Sequence, residues 1–310
     1  MASSSLTCIL NSTSGCHPGP ELREKLSRIL AENGAPARIL LAPSGAEITE
    51  LARRAVNEKS QVIVAGGGDG TVNAVAKELL GTSLTLGVLL LGTWNHFAKD
   101  LHIPQDLEGA ARNLITGRAM RVDVGEVNGR IFLNNSSLGI YPRMVRERDE
   151  EQRRGRNKWL AFLDASISVL ENYLPLHVRL RANGKSFSRT TPFVFIGNNK
   201  YEMEGLHIRG RRRLDAGELC LYVSNRAGRV DLLRLAFLAV FGWLREASDL
   251  DVLITKGITI ETRRPQIGVA TDGELKSNEY SVELPDPSGC SASHRTRNKR
   301  PGKQRLTASK

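Results

Sequence analysis

Gly66-Gly67-Gly68-Asp69-Gly70-Thr71-Val72-Asn73 follows four apolar residues, Val62-Ile63-Val64-Ala65, that read as a buried strand. After it Val72, Val75, Ala76, Leu79 and Leu80 recur at three- and four-residue spacing, the pattern of a helix. A strand, a glycine run and a helix N-terminus together make a place for an anion. Glycine lets the backbone approach a phosphate closely, and the free N–H groups of the first helical turn point toward it. Asp69 sets a carboxylate in the middle of that turn, where a bare phosphate would be repelled. A cation between the two resolves the conflict, so the stretch predicts a metal–nucleotide complex. A tight turn with Asp as a helix cap is the plainer alternative. Three consecutive glycines are more than a cap requires.

Working outward, the first 125 residues or so alternate strand and helix patterns. Strands are expected at Leu6–Leu10, Ala37–Ala42, Val62–Ala65 and Leu84–Leu91, and helices at Glu21–Asn33, Ala46–Glu58, Thr71–Leu80 and Leu107–Ile115. This rhythm predicts a parallel sheet with helices on both faces, whose ligands bind beyond the carboxyl ends of the strands. The glycine run lies at such an end. Gly92-Thr93-Trp94-Asn95-His96-Phe97-Ala98-Lys99-Asp100 occupies the next strand-to-helix turn and is expected in the same crevice.

The pattern changes after Arg121. Short strands are expected at Val122–Val127, Ile131–Asn135, Leu176–Ala182, Phe187–Gly197, Glu218–Ser224, Val252–Thr262 and Ser281–Leu284, with a hairpin turn at Asn183-Gly184. The second half therefore reads as mainly antiparallel, a sandwich or barrel-like domain. Arg143–Lys158 reads as a charged connector, and Val230–Leu244 as a helix packed on the β domain or lying in a lipid interface. Thr271-Asp272-Gly273-Glu274 sets two carboxylates on a turn. They suit a base and a metal partner, although in isolation the segment reads as a common hairpin.

The formal net charge is +11, and residues 285–310 hold seven Lys or Arg against one Asp. That tail lacks periodicity and is expected to be disordered. Its charge suits nucleic acid or an anionic membrane, or serves solubility alone. The aromatic fraction is 5 % with no aromatic–basic interleaving, which argues against nucleic acid. Cys8, Cys16, Cys220 and Cys290 show neither zinc spacing nor a disulfide framework. No signal peptide or bilayer-spanning run is evident, so a cytoplasmic protein is expected.

Several segments together resemble the diacylglycerol kinase catalytic family, soluble bacterial lipid kinases related to sphingosine and ceramide kinases. These are Asn11-Ser12-Thr13-Ser14-Gly15, Gly67-Gly68-Asp69-Gly70-Thr71, Gly92-Thr93-Trp94-Asn95, Asp123-Val124-Gly125, Phe132-Leu133-Asn134 through Gly139, and Asp272-Gly273-Glu274. They stand in the family's order and span the chain up to about Leu284. The resemblance implies an α/β nucleotide-binding domain over residues 1–125, of the NAD kinase/diacylglycerol kinase type. A β-sandwich lipid-acceptor domain over 126–284 and the basic tail over 285–310 complete the expected layout, with a cleft enclosed by the two domains.

It further implies transfer of the γ-phosphoryl group of ATP, with Mg²⁺, to a lipid hydroxyl at the inner face of the membrane. A diacylglycerol-like acceptor is the first expectation. Asn11, Ser14, Gly15, Gly67, Gly68, Gly70, Thr71, Thr93 and Asn95 would hold the nucleotide. Asp69 would hold Mg²⁺, Asp272 would accept the hydroxyl proton, and Glu274 would position metal or substrate. Asp123 and Asp215 are further metal candidates. Two departures stand out. His96 occupies a position where many relatives carry Asp, so an acidic metal partner is either missing there or supplied by Asp100 or Asp123. In Asp215-Ala216-Gly217, Ala stands between the Asp and the Gly that adjoin in relatives binding a structural Mg²⁺. Phosphorylation of a soluble acceptor, as in NAD kinases, and nucleotide or lipid binding without turnover are the alternatives. Anionic phospholipid on the tail is an expected partner, and a homodimer is left open.

Overall fold

The computed structural model describes residues 6–15, 19–93, 95–139, 174–204, 207–224, 226–228, 231, 250–262, 267–274, 293–297 and 305–309. The expectations for Arg143–Lys158 and Ser281–Leu284 lie outside these residues, as does Val230–Leu244 apart from Asp231. The chain forms two compact units: Met1–Val124 with Leu214–Ala216 and Lys299–Lys310, and Gly125–Arg213 with Gly217–Asn298.

In the first unit β1 (Leu6–Asn11), α1 (Pro20–Glu32), β2 (Ala37–Ala42), α2 (Gly45–Asn57), β3 (Val62–Gly67), α3 (Asp69–Leu79) and β4 (Thr85–Leu90) follow one another. The short α4 (His96–Asp100), α5 (Leu107–Thr116) and β5 (Ala119–Asp123) come next. Strand β1 pairs parallel with both β2 and β3, and β3 pairs parallel with β4. Leu6–Leu10 are all buried, as a central strand covered by helices requires. Local chemistry sets the helix starts. Pro20 opens α1, Ser44 Oγ accepts the Glu47 N–H at 3.2 Å to cap α2, and Asp106 Oδ1 accepts the Gly109 N–H at 2.7 Å to cap α5. Helix α3, like α1 with Gly19, starts at a glycine N-cap, Gly68, which offers no side-chain acceptor.

The second unit begins with β6 (Gly125–Val127), β7 (Arg130–Phe132) and β8 (Asn135–Gly139). It continues through β9 (Leu176–Ala182), β10 (Lys185–Thr191), β11 (Phe193–Asn198), β12 (Tyr201–Glu204), β13 (His207–Arg211) and β14 (Leu219–Ser224). The later strands are β15 (Leu250–Thr255), β16 (Gly257–Thr262), β17 (Val269–Thr271) and β18 (Ser293–Arg297). One six-stranded sheet runs β10-β9-β16-β18-β6-β7, and a five-stranded sheet runs β15-β14-β11-β8-β17, with β12-β13 as a separate pair. All of these pairings are antiparallel. Strand β9 alternates buried and exposed residues throughout. The inward residues of both sheets, among them Phe132, Leu180, Ile196, Leu221 and Ile260, form one apolar core, so this unit is a sandwich.

Three expected strands are each two strands in different sheets. The chain leaves β10 for β11 at Pro192, which has no N–H to give a ladder, and leaves β15 for β16 at Lys256. It passes from β7 to β8 at Leu133-Asn134. A single apolar pattern runs across such corners because both sheets bury residues in the same core. Val122–Val127 likewise divides at Val124, where the first unit's opening segment ends.

Two short pieces of the tail expected to be disordered are strands. Ser293–Arg297 forms β18 beside β16, and Arg305–Ser309 forms β19, which lies between β4 and β5. Strand β19 is parallel to β4 and antiparallel to β5, so the expected parallel sheet is mixed at this side. Charge-rich composition signals a segment with little apolar area of its own. It does not register the unpaired backbone groups that neighbouring strands offer.

Candidate active site

Strands β1, β3 and β4 are parallel neighbours, so their carboxyl ends bring three turns together in the first unit. Asn11 ends β1. Its Nδ2 donates to Thr71 Oγ1 at 3.1 Å, and its Oδ1 accepts the Thr13 N–H at 3.0 Å and the Thr13 hydroxyl at 2.8 Å. The Ser14 hydroxyl donates to Asn11 O at 2.8 Å. The first turn is thereby folded on itself and tied to α3. A Cβ added at Gly15 would lie 3.4 Å from Thr93 Oγ1, which brings the third turn alongside the first.

The two glycine turns touch. A Cβ at Gly92 would overlap Gly68 Cα and come within 2.8 Å of Asn95 Oδ1. One at Gly67 would overlap the Thr71 side chain. Asn95 has a left-handed φ of 49° and its Nδ2 donates to Gly92 O at 2.8 Å, closing the turn before α4. Asp69 bridges the turns: its Oδ2 accepts the His96 N–H at 3.2 Å and its Oδ1 the Phe97 N–H at 3.1 Å. His96 therefore meets Asp69 through its backbone, while its side chain is exposed. Gly70 lies in the first turn of α3.

Asp123 is 4 % exposed at the end of β5, and its N–H donates to Leu214 O at 2.6 Å. That bond draws the Asp215 segment into the first unit. Among the described residues no three His, Cys, Asp or Glu side chains cluster as a metal cage. A lone carboxylate such as Asp69 suits Mg²⁺ only in the manner in which one or two carboxylates share the ion with substrate phosphates.

In the second unit Asp272 (φ 48°) and Gly273 (φ 77°) form a two-residue turn closed by the Thr271–Glu274 bridge. The Glu274 side chain is exposed. The Asp272 carboxylate lies against the corner between β7 and β8. Its Oδ2 accepts the Leu133 N–H at 2.8 Å, and its Oδ1 accepts those of Asn134 at 2.8 Å and Asn135 at 3.0 Å. These N–H groups stand where the chain changes sheets, outside the ladder, and the carboxylate satisfies all three.

Arg211, which the sequence does not single out, completes this corner. It is 3 % exposed and opens the run Arg211-Arg212-Arg213. Its Nη1 donates to Leu133 O at 2.6 Å and Asn198 O at 2.8 Å, and its Nη2 to Asn134 Oδ1 at 2.8 Å. The guanidinium also lies over the Tyr201 ring, 5.5 Å from its centroid.

Comparison with known proteins agrees with both halves of this architecture. Residues 5–127 match the diacylglycerol kinase catalytic domain, and residues 137–284 match the YegS C-terminal NAD kinase beta sandwich-like domain. The diacylglycerol kinase of Bacillus subtilis (strain 168) is 28 % identical over 244 residues, 77 % of this chain and 78 % of that protein. A Klebsiella pneumoniae (strain 342) protein named "Probable lipid kinase YegS-like" is 28 % identical over 184 residues, 58 % of this chain and 61 % of its own length. A crystal structure of a diacylglycerol kinase from Bacillus anthracis str. Sterne superposes with a TM-score of 0.65 at 22 % identity, covering 99 % of this chain and 96 % of that one. Paired glycine turns on a parallel sheet, an antiparallel sandwich later in the chain and two family matches in this order place the chain in the diacylglycerol kinase catalytic-domain family, kinases that phosphorylate an alcohol group.

Proposed function

We propose that this chain is an ATP- and Mg²⁺-dependent lipid kinase that transfers the γ-phosphoryl group to a lipid hydroxyl, with a diacylglycerol-like acceptor. The observation that carries the reading is the contact of Gly68 with Gly92, which brings two glycine turns together at the start of α3, whose N-cap makes no side-chain hydrogen bond. Such a cradle suits polyphosphate. In it the backbone of Gly67–Thr71, with Asn11, Ser14 and Gly15, holds the phosphates, and Thr93 and Asn95 line the same pocket. Asp69 holds the metal, with Asp123 and Asp215 as further candidates. Mg²⁺ bound with the nucleotide supplies neutralisation of the phosphate charge. Asp272 accepts the proton of the acceptor hydroxyl, and Glu274 positions substrate or metal. Because this reaction depends mainly on positioning and charge, removal of Asp69 or Asp272 is expected to remove most of the rate.

A lipid acceptor is drawn from the family and fits the basic composition of residues 285–310, which would attract anionic phospholipid on a cytoplasmic membrane face. A soluble acceptor is the second reading, favoured by the NAD kinase-like description of the sandwich domain. One assay decides between them: transfer of labelled γ-phosphate from Mg·ATP to lipids in mixed micelles and to NAD, with Asp272→Ala alongside. A labelled lipid that disappears in the variant supports the proposal. Labelled NAD alone replaces the lipid with a soluble acceptor, and no product with ATP still bound leaves a binding protein.

A further inference from the structure

The corner at Leu133–Asn135 is gripped from two sides. On the N–H side the Asp272 carboxylate accepts from three successive residues. On the carbonyl side Leu133 O accepts from Arg211 at 2.6 Å and from Asn198 Nδ2 at 3.0 Å. The Asn134 side chain is bound by Arg211, and Asn134 O accepts the Asn198 N–H at 2.9 Å and the Tyr201 hydroxyl at 3.3 Å. A buried cation and a carboxylate thus act on opposite ends of one peptide group, Leu133–Asn134. The guanidinium polarises the Leu133 carbonyl, which strengthens the donor character of the Asn134 N–H that Asp272 receives.

The fork geometry matters as much as the charge. Arg211 reaches three acceptors from two different segments, Leu133-Asn134 and Asn198. A lysine carries the same charge as a point and cannot span that set. The Asp272 turn is closed by the Thr271–Glu274 bridge, and its Asp272 N–H donates to Asn135 O at 2.9 Å, so main chain and carboxylate are both tied to this corner. The carboxylate bonds to the corner, and Arg211 holds that corner together with Asn198 and Tyr201.

We propose that Arg211 is a positioning residue for phosphoryl transfer: it fixes the Leu133–Asn135 corner, which in turn aims the Asp272 carboxylate at the acceptor hydroxyl. This rests on the reading of Asp272 as the base. Displacement of a reacting group by about 1 Å costs up to about a hundredfold in rate, so a loosened corner should be visible in kcat.

The test uses full-length chain carrying Arg211→Lys or Arg211→Gln, assayed with Mg·ATP and diacylglycerol in mixed micelles. Amide hydrogen exchange is followed across residues 132–136, and thermal melting reports folding. The expected result is a cooperative melt, an unchanged KM for ATP and a kcat lowered ten- to a hundredfold, with Lys retaining more than Gln. Exchange should accelerate at Leu133–Asn135 while β9 and β16 stay protected. Unchanged kcat in either folded variant overturns the proposal, as does unchanged exchange at the corner. A rate loss no larger than the loss of folded protein overturns it too. Asp272→Asn separates the two readings. If that variant keeps wild-type transfer, Asp272 is not the base and the positioning role of Arg211 falls with it, whatever the exchange at the corner shows.

Discussion

Asp69 accepts the backbone N–H of Phe97 at 3.1 Å, so the acid of one glycine turn caps the helix that follows the other. The same carboxylate also takes the His96 N–H. It is therefore a structural tie between two turns before it meets any ligand, and the side chain at position 96 is not needed for that tie. At position 96 the main chain reaches Asp69, and the N–H that does so is independent of which side chain stands there.

Two substitutions at Asp69 separate its tasks. Asp69→Asn keeps one oxygen for a backbone N–H but loses the charge; Asp69→Ala loses both. Phosphoryl transfer should fall at least about a hundredfold in each, as expected for a charge held against a transferring phosphoryl group. Only the Ala variant should also melt lower, by about 1 kcal/mol for a lost cap. Transfer assays beside thermal melts check this, and near-normal turnover in Asp69→Asn would remove the charge from the reaction.

Gly92→Ala tests the cradle itself. The added methyl group would overlap Gly68 Cα, and backbone cannot swing aside as a flexible side chain does. Overpacking of this kind costs about 1–3 kcal/mol, and the two turns must separate to relieve it. ATP affinity measured by calorimetry should drop more than tenfold while the second unit stays folded. Unaltered ATP binding would place the phosphates elsewhere.

Cys8 offers a pH prediction independent of function. It is fully buried on β1, and burial pushes its thiol from 9.0 up to about 12. The folded chain therefore holds this proton where the unfolded chain has released it. The contribution to stability is whole below pH 9 and is lost as pH rises toward 12, at about 1.4 kcal/mol per unit. Urea unfolding across that range should show a shallower decline for Cys8→Ala than for the parent chain. Equal slopes would refute it. Native protein should also resist maleimide at pH 8 at this site.

A chain ending at Leu284 lacks β18 and β19, which lie inside their sheets between β16 and β6 and between β4 and β5. Its unfolding should begin at lower denaturant, with about 1 kcal/mol lost for each missing ladder hydrogen bond. An unchanged midpoint would show that neither strand supports its sheet. Membrane attraction is better tested in full-length chain with Lys299→Glu, Arg300→Glu and Lys303→Glu. Pelleting with anionic vesicles should weaken and lose salt dependence, and unchanged pelleting would clear the tail of that role.

The α/β unit was legible because each strand and helix carries its own period and cap; Leu6–Leu10 and the Ser44 cap need no distant partner. Corners were not, since Pro192 and Lys256 interrupt patterns that stay apolar across both sheets. The glycine turns could be placed from spacing alone, although the touch of Gly68 on Gly92 depends on the register of β3 against β4. Arg211 was hidden for a simpler reason. Its partners are mostly backbone carbonyls, Leu133 O and Asn198 O, and a carbonyl has no signature in a sequence.

Strand β19 has a consequence for how the protein is made. Residues 305–309 pair with β4 and β5, yet they leave the ribosome only after the whole sandwich has been synthesised. The amino-terminal sheet can assemble β1 through β4 early in translation, but β5 waits for a partner some 180 residues downstream. Until then the β4 and β5 edges that β19 will join stand open, and open strand edges are where a nascent chain can pair wrongly.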